Sequence, residues 1–306
     1  MFTSYHHLLK GEMTMSLQML INGLSLGGVY ATIAVGFALV YNILKFSNFS
    51  HSGILVSTAY IGYFIATRLG TNFWVTLILT GFFGGCLAIL VEFIGFRRLR
   101  LKNVNTMLYF VSSITISMLM QNLITVLFST SYYSYPIFFK TTSFKIGEFM
   151  FVTTDILMLV ISCVALVILQ FILKKTRIGV AIRALSTDSN TTSLMGINVT
   201  RIVIATFFVS GVMGGISGMF LGINYTLYPQ LGGMITKGFI ASIIGGLGNV
   251  SGAVMGAFIL GVMEVFLINI DFIGSSFTPV VTFLVMIVFL LVRPQGIAGT
   301  ITKEKV

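Results

Sequence analysis

Apolar residues run along this chain in blocks long enough to cross a bilayer, which takes a helix of roughly 20 such residues. The blocks cover 17–44, 46–67, 74–96, 104–128, 152–173, 201–223, 239–270 and 280–292. Each reads as one membrane helix except 239–270, where Gly245, Gly246, Gly248 and Gly252 fall within a short stretch. Glycines that dense end one helix and begin another, and non-helical backbone at membrane depth is tolerated only where protein or water lines it. The expectation is an all-α integral membrane protein, a polytopic bundle of 8–10 transmembrane helices with one glycine-broken segment near 245–252, inside the bilayer.

Composition agrees with the pattern. The 306 residues are 56% hydrophobic and only 8% charged, with a mean hydropathy of +1.01. Eight acids and eighteen bases cannot cover a soluble protein of this size. The net charge of +10 does not point to nucleic acid, because the bases sit in loops between apolar blocks and form no basic face. They report orientation instead, since loops facing the cytoplasm carry the excess of Lys and Arg. The cluster at 97–102 and the stretch 174–201 are therefore both read as cytoplasmic, the loop 129–151 between them, with Tyr132, Tyr133 and Tyr135, as external, and the tail as cytoplasmic. Residues 1–16 form a polar extension without the apolar core of a signal peptide, and His6 and His7 carry no assigned function. Residues 17–297 form one domain and 298–306 a tail. Cys86 and Cys163, each inside an apolar block, read as small buried hydrophobes.

Polar residues within the apolar blocks are the candidates for function. Asn22, Asn42, Asn48 and His51 gather around the first two blocks, and Gln121 and Asn122 lie within the fourth. Each is either a helix-to-helix hydrogen bond or part of a polar pathway. Glu92 lies near the bases at 97–102 and reads as the partner of one of them. Glu264 has no neighbouring base in sequence, so it is an ion site or pairs with a base from another segment. There is no phosphate-binding glycine loop, no zinc-binding His pair and no Cys-x-x-Cys, which leaves a channel or transporter whose energy comes from elsewhere.

The one long polar interruption, 174–201, reads as two short helices over 178–185 and 189–195, the second capped by Asp188 or Ser189 and stopped at Gly196. Flanked by bases, it is either a docking surface or an ordinary solvated loop.

Five stretches in order then resemble the permease subunits of ABC importers of the branched-chain amino acid (Liv) type. They are 20–31 with Asn22, Gly23, Gly27, Gly28 and Tyr30; 46–53 with Asn48, His51 and Gly53; 176–184 with Arg177, Gly179, Arg183 and Ala184; Asp188 with 194–198 and Gly196; and Gly245, Gly246, Gly248, Gly252 and Gly256 leading to Glu264. Ser50 and Ser52 stand where that pattern commonly has alanine and glycine.

The resemblance implies a non-catalytic half-pore without a cofactor, in the bacterial cytoplasmic (inner) membrane. Its implied partners are a second permease subunit, two cytoplasmic ATPase subunits and an extracytoplasmic solute-binding protein. Arg177, Gly179, Arg183, Ala184, Asp188 and Gly196 would form the ATPase-coupling loop. Asn22, Tyr30, Asn42, Asn48, His51, Ser52, Gln121 and Asn122 are the pathway candidates. The implied cargo is a branched-chain or other hydrophobic amino acid, while similar permeases carry urea, short amides or nucleosides. A self-sufficient secondary transporter or channel, with Glu264 as its coupling site, is the reading from a different class.

Overall fold

The computed structural model describes residues 2–299 apart from 103, 140–142, 147–148, 271 and 273, and describes side chains outside 2–16 and 143–150. In chain order the helices are α1 (Phe2–Leu44), α2 (Ser50–Arg68), α3 (Phe73–Val91), α4 (Arg97–Leu101), α5 (Thr106–Phe128), α6 (Thr153–Lys175), α7 (Arg177–Thr187), α8 (Ser189–Leu194), α9 (Val199–Asn224), α10 (Ile235–Gly245), α11 (Val250–Ile268) and α12 (Gly274–Val292). A π-helical turn, Glu92–Phe96, joins α3 to α4, and an antiparallel hairpin of β1 (Ser143–Ile146) and β2 (Phe149–Val152) lies between α5 and α6. Asparagine starts four of the long helices: the Oδ1 atoms of Asn72, Asn105, Asn198 and Asn249 accept first-turn N–H groups of α3, α5, α9 and α11.

Seven helices, α1 from residue 17, α3 with α4, α5, α6, α9, α11 and α12, are long and apolar enough to cross a membrane. The polytopic all-α expectation therefore stands. α2 is as long as α3, at 19 residues, but carries His51 and several serines, and it is buried along most of its length. The last span begins earlier than 280, at Gly274, and holds Pro279 inside the helix, where the ring removes one backbone donor.

α1 runs through the middle of the bundle, packed against α6, α9, α10 and α11. Its contact with α11 is antiparallel, with Gly23 beside Val262 and Gly27 beside Gly261. α3 and α9 meet through Gly84 and Gly211, each so close to the other's carbonyl that neither tolerates a Cβ. Cys86 and Cys163 are exposed on the outer surfaces of α3 and α6, not buried as expected.

α7 and α8 lie across one end of the bundle, called here the loop face. Arg100 and Val104 line a cavity there with Leu185 and Ser189, so the 97–102 cluster shares that face. The end of α1, with Tyr41, Asn42 and Lys45, is there too. The apolar run of α1 therefore begins, at residue 17, on the opposite face. The 97–102 cluster and the 174–201 stretch lie on one face, as the reading of both required.

The glycine break is real but placed differently. α10 has 11 residues, about 16 Å of helix, roughly half the hydrocarbon thickness. It ends at the loop face, where Gly246 (φ 110°) and Gly248 (φ 81°) turn the chain into α11. Residues after α12 fold back onto this turn: the N–H groups of Ile297 and Ala298 donate to the carbonyls of Ile244 and Gly245 at 2.9 and 3.0 Å, and Asn249 Nδ2 donates to the Ala298 carbonyl at 2.7 Å. The carbonyls that the end of α10 leaves open are thereby satisfied. The last described residues thus lie on the loop face, as the parity of crossings required. Residues 300–306, the rest of the tail, lie outside the described residues.

The irregular backbone at depth is found elsewhere. Residues 45–49 leave α1 in a non-helical path, starting with Lys45 at φ 54°, and return inward to start α2. Residues 225–234, ending in the 3₁₀ turn Pro229–Met234, enter from the opposite face and start α10.

Candidate functional site

These two irregular segments meet inside the bundle, and their meeting point is where the pathway candidates divide. Ser52 Oγ, in the first turn of α2, donates to the Gly232 carbonyl at 2.8 Å. Gln121 Nε2 of α5 donates to Ser52 Oγ and to Ser117 Oγ, both at 3.0 Å. The rings of Phe37, Phe49 and Phe239 close the same region, with centroids 5.4 to 6.2 Å apart. Polar backbone that leaves regular structure in a membrane needs such partners, and here α2, α5 and the 3₁₀ turn supply them to one another.

His51, one residue before Ser52, is fully enclosed. A Cβ on Gly36 would sit 2.7 Å from its ring and one on Gly214 would sit 2.9 Å away, so the imidazole wedges between α1 and α9. Its Nδ1 lies 3.5 Å from Ser210 Oγ, which donates to the Gly36 carbonyl at 2.6 Å. Asn48 Oδ1 accepts from the Ser50 backbone N–H at 3.2 Å and from Ser50 Oγ at 2.6 Å, which fixes the entry into α2. Sequence reading had not identified Gly232 or Ser117 in this cluster. Pro229 followed by Gly232 and Gly233 was the available signal for an irregular segment.

The other pathway candidates lie apart. Asn22, exposed near the start of the spanning part of α1, accepts from Gln18 at 3.0 Å. Asn42 lies at the other end of the same helix, about 30 Å away by helical rise. Tyr30 is fully buried beside Glu264 and Tyr225, with its hydroxyl outside hydrogen-bond geometry. Asn122 is exposed on α5; its Nδ2 donates to the Met118 carbonyl at 2.8 Å, and its Oδ1 has no hydrogen bond among the described residues.

Glu264, an acid without a base nearby in sequence, has one in space: Lys237 Nζ of α10 is 2.8 Å from its Oε1. Glu92 pairs with Arg100 at 2.8 Å, close to where the bases at 97–102 suggested.

At the loop face, α7 and α8 form nearly as the sequence indicates. Thr176 Oγ1 donates to the Ile172 carbonyl at 2.6 Å and accepts from the Gly179 N–H at 3.1 Å, so the end of α6 and the start of α7 are tied through one hydroxyl. Gly179 presses on the carbonyls of Ile172 and Leu173, leaving no room for a Cβ. Ala181, Ile182 and Leu185 turn inward, against α1, α6 and α9.

Asp188 caps α8: Oδ1 accepts from the Asn190 N–H at 2.9 Å, and Oδ2 from the Thr191 hydroxyl. The Thr191 hydroxyl, and then the Asn190 N–H, hold the Asp188 carboxyl below the ordinary carboxylate value. Gly196, at φ 80°, ends the turn after α8. What remains outward is Arg177, Ile178, Val180 and Arg183 on α7, with Leu194 89% and Met195 77% exposed beyond α8.

A family model described as the permease component of branched-chain amino acid transport systems matches residues 19–291. The LivH permease of the high-affinity branched-chain amino acid transport system of Salmonella typhimurium is 30% identical over 304 residues, covering 95% of this chain and 97% of LivH. The corresponding BraD permease of Pseudomonas aeruginosa is 30% identical over 309 residues, covering 95% of this chain and 98% of BraD. Among solved structures, PsaBC from Streptococcus pneumoniae in complex with Fab aligns over 90% of this chain and 89% of the matched chain, at 16% identity and a TM-score of 0.46. With seven helices among the described residues long and apolar enough to cross a membrane, and a match over nearly its whole length, the chain belongs to the family of permease components of branched-chain amino acid transport systems.

Proposed function

We propose that this chain is the non-catalytic permease subunit of an ATP-driven importer of branched-chain or other hydrophobic amino acids, working by alternating access in the bacterial cytoplasmic membrane. ATP hydrolysis takes place on two cytoplasmic partner subunits, a second permease completes the pore, and an extracytoplasmic binding protein delivers the cargo. The loop face and the tail are cytoplasmic in this reading, in line with the bases at 97–102 and 174–183.

The observation that carries the reading is the seating of α7. It is joined rigidly to the end of α6 through Thr176 and Gly179 and sealed on α1 and α9 by Ile182 and Leu185, while Ile178, Val180, Leu194 and Met195 are left outward beside Arg177 and Arg183. An apolar patch rimmed by bases is a surface for a partner. A push on it is passed to α1, α6 and α9 together, because α7 cannot slide on the carbonyls beneath Gly179. The partner moves the equilibrium between two states only as far as it contacts them differently.

The pathway forms on this reading between two permeases, against the exposed face of α5 that carries Thr115 and Asn122. An open carboxamide oxygen is costly against lipid and is stable against water in a pore. Ser52, Gln121 and Gly232 behind that face hold the two irregular segments whose displacement would open it.

Replacing Gly179 by arginine is the test. Uptake and substrate-stimulated ATPase activity of the assembled importer are expected to vanish while membrane insertion persists. Unchanged uptake by G179R would refute the assignment of the loop.

A further inference from the structure

A cavity of about 790 Å³ opens at the loop face, behind α7, and meets the patch assigned to the ATPase only at Arg183. Three bases line it, and they come from three places in the chain: Lys45 from the α1–α2 connection, Lys174 from the end of α6 and Arg183 from α7. Gln170, Asn249 and Gln295 add amide groups, and among the described residues no Asp or Glu lines the cavity. Among the described residues the ion pairs join Arg100 to Glu92 and Lys237 to Glu264, so none of the three bases has an acid partner there. Like charges gathered around one volume without a counter-ion create a potential that an anion relieves.

The position of the cavity says which anion. It lies where the spanning part of α6 ends, and α6 turns Val160, Val164, Val167, Ile168 and Phe171 outward along the length that leads to Lys174. An apolar strip ending in a basic pocket matches a lipid, with acyl chains on the strip and a phosphate in the pocket. A free phosphate would use the bases and leave the strip without a role.

We propose that this cavity binds the phosphodiester headgroup of an anionic phospholipid, whose acyl chains lie along the outer face of α6. Bound there, the headgroup bridges α7 to the end of α6, the α1–α2 connection and the turn between α10 and α11. It fixes the coupling helices against the membrane body, so the anionic lipid content of the bilayer sets how firmly they are held.

The test reads lipid retention and needs no transport. The purified full-length permease is taken into mild detergent with phosphatidylglycerol or phosphatidylcholine, and bound lipid is counted by native mass spectrometry. Phosphatidylglycerol is expected to persist and phosphatidylcholine to be lost. Combined Lys45→Gln and Lys174→Gln removes two phosphate contacts and is expected to weaken phosphatidylglycerol retention roughly tenfold or more. Lys175→Gln, next in sequence but outside the cavity lining, is expected to leave retention unchanged.

If the double variant fails to insert, Lys174→Gln alone is scored for the same loss in smaller degree. Equal retention of both lipids, or no effect of the substitutions, overturns the proposal. Inorganic phosphate binding with the same dependence on Lys45 and Lys174 would make it a soluble-anion site. Higher lipid retention after removal of residues 300–306 would show that the tail, with Glu304, fills the cavity. Either of these outcomes also overturns it.

Discussion

Gly179→Ala separates a structural hinge from a coupling contact, because the change adds one methyl group and no charge. A Cβ at this position falls well inside 3.0 Å of the carbonyl oxygens of Ile172 and Leu173. An ordinary contact needs roughly 3.5 Å, so α7 must rise from the end of α6 by about 1 Å. Backbone carbonyls at a helix end cannot rotate away as a flexible side chain would, and the cost falls in the range of about 1–3 kcal/mol for overpacking. The rise also stretches the 3.1 Å bond from the Gly179 N–H to Thr176 Oγ1, a cap worth about 1 kcal/mol. These sums are small beside the burial of a whole membrane bundle, so insertion should persist while α7 sits wrongly on α1 and α9. Uptake and ATPase stimulation of the reconstituted importer are expected to fall at least roughly tenfold, as a misplacement of about 1 Å does elsewhere. Gly196→Ala is the control: its φ of 80° strains alanine by about 1 kcal/mol, but nothing lies within 4 Å of the added carbon. It should cost transport little. If the two alanines impair transport equally, the anchoring of α7 through Gly179 is not what transmits the push.

The remaining predictions concern polar groups. Glu264→Gln leaves the Lys237 ammonium without its partner in a largely buried place and should lower the unfolding midpoint in detergent, at a cost of about 3–5 kcal/mol, while Lys237→Met with Glu264→Leu should recover most of the loss. Loss of transport by Glu264→Gln at unchanged stability would instead make Glu264 a coupling site. Ser52→Ala and Gln121→Ala should each destabilise by about 0.6–1.7 kcal/mol, and the double variant by less than their sum, because both remove the same 3.0 Å bond; strict additivity in detergent unfolding would refute the latch. Asp188, held below the ordinary carboxylate value of 3.8, stabilises α8 above that value and loses the contribution as pH falls through its lowered pKa. Hydrogen exchange over 189–194 should therefore accelerate only in acid, and Thr191→Val should move that onset to higher pH; an onset that Thr191→Val leaves in place would refute this.

The legible parts were those whose cause is local. A membrane helix announces itself by length and hydropathy, and α7 and α8 by the punctuation of Thr176, Asp188 and Gly196, each acting within four residues of itself. The gathering of His51, Ser52 and Gln121 was legible as a polar neighbourhood, although the bonds themselves run through Gly232, a residue with no side chain to notice. Glu264 and Lys237 are 27 residues apart across the glycine turn, so their pairing depends on how α10 and α11 pack, which no local pattern records. The depth of a break was hidden for the same reason: four glycines say that a helix ends, and only the residues 294–299 that close over Gly245 say at what level. Asn22 and Asn42 are 20 positions apart on one continuous helix, so at 1.5 Å per residue they mark opposite ends of a pathway rather than one site. Charge bias and the count of crossings agree where both apply: α5 and α6 lie between the 97–102 cluster and the 174–201 stretch, and two crossings return the chain to the face it left.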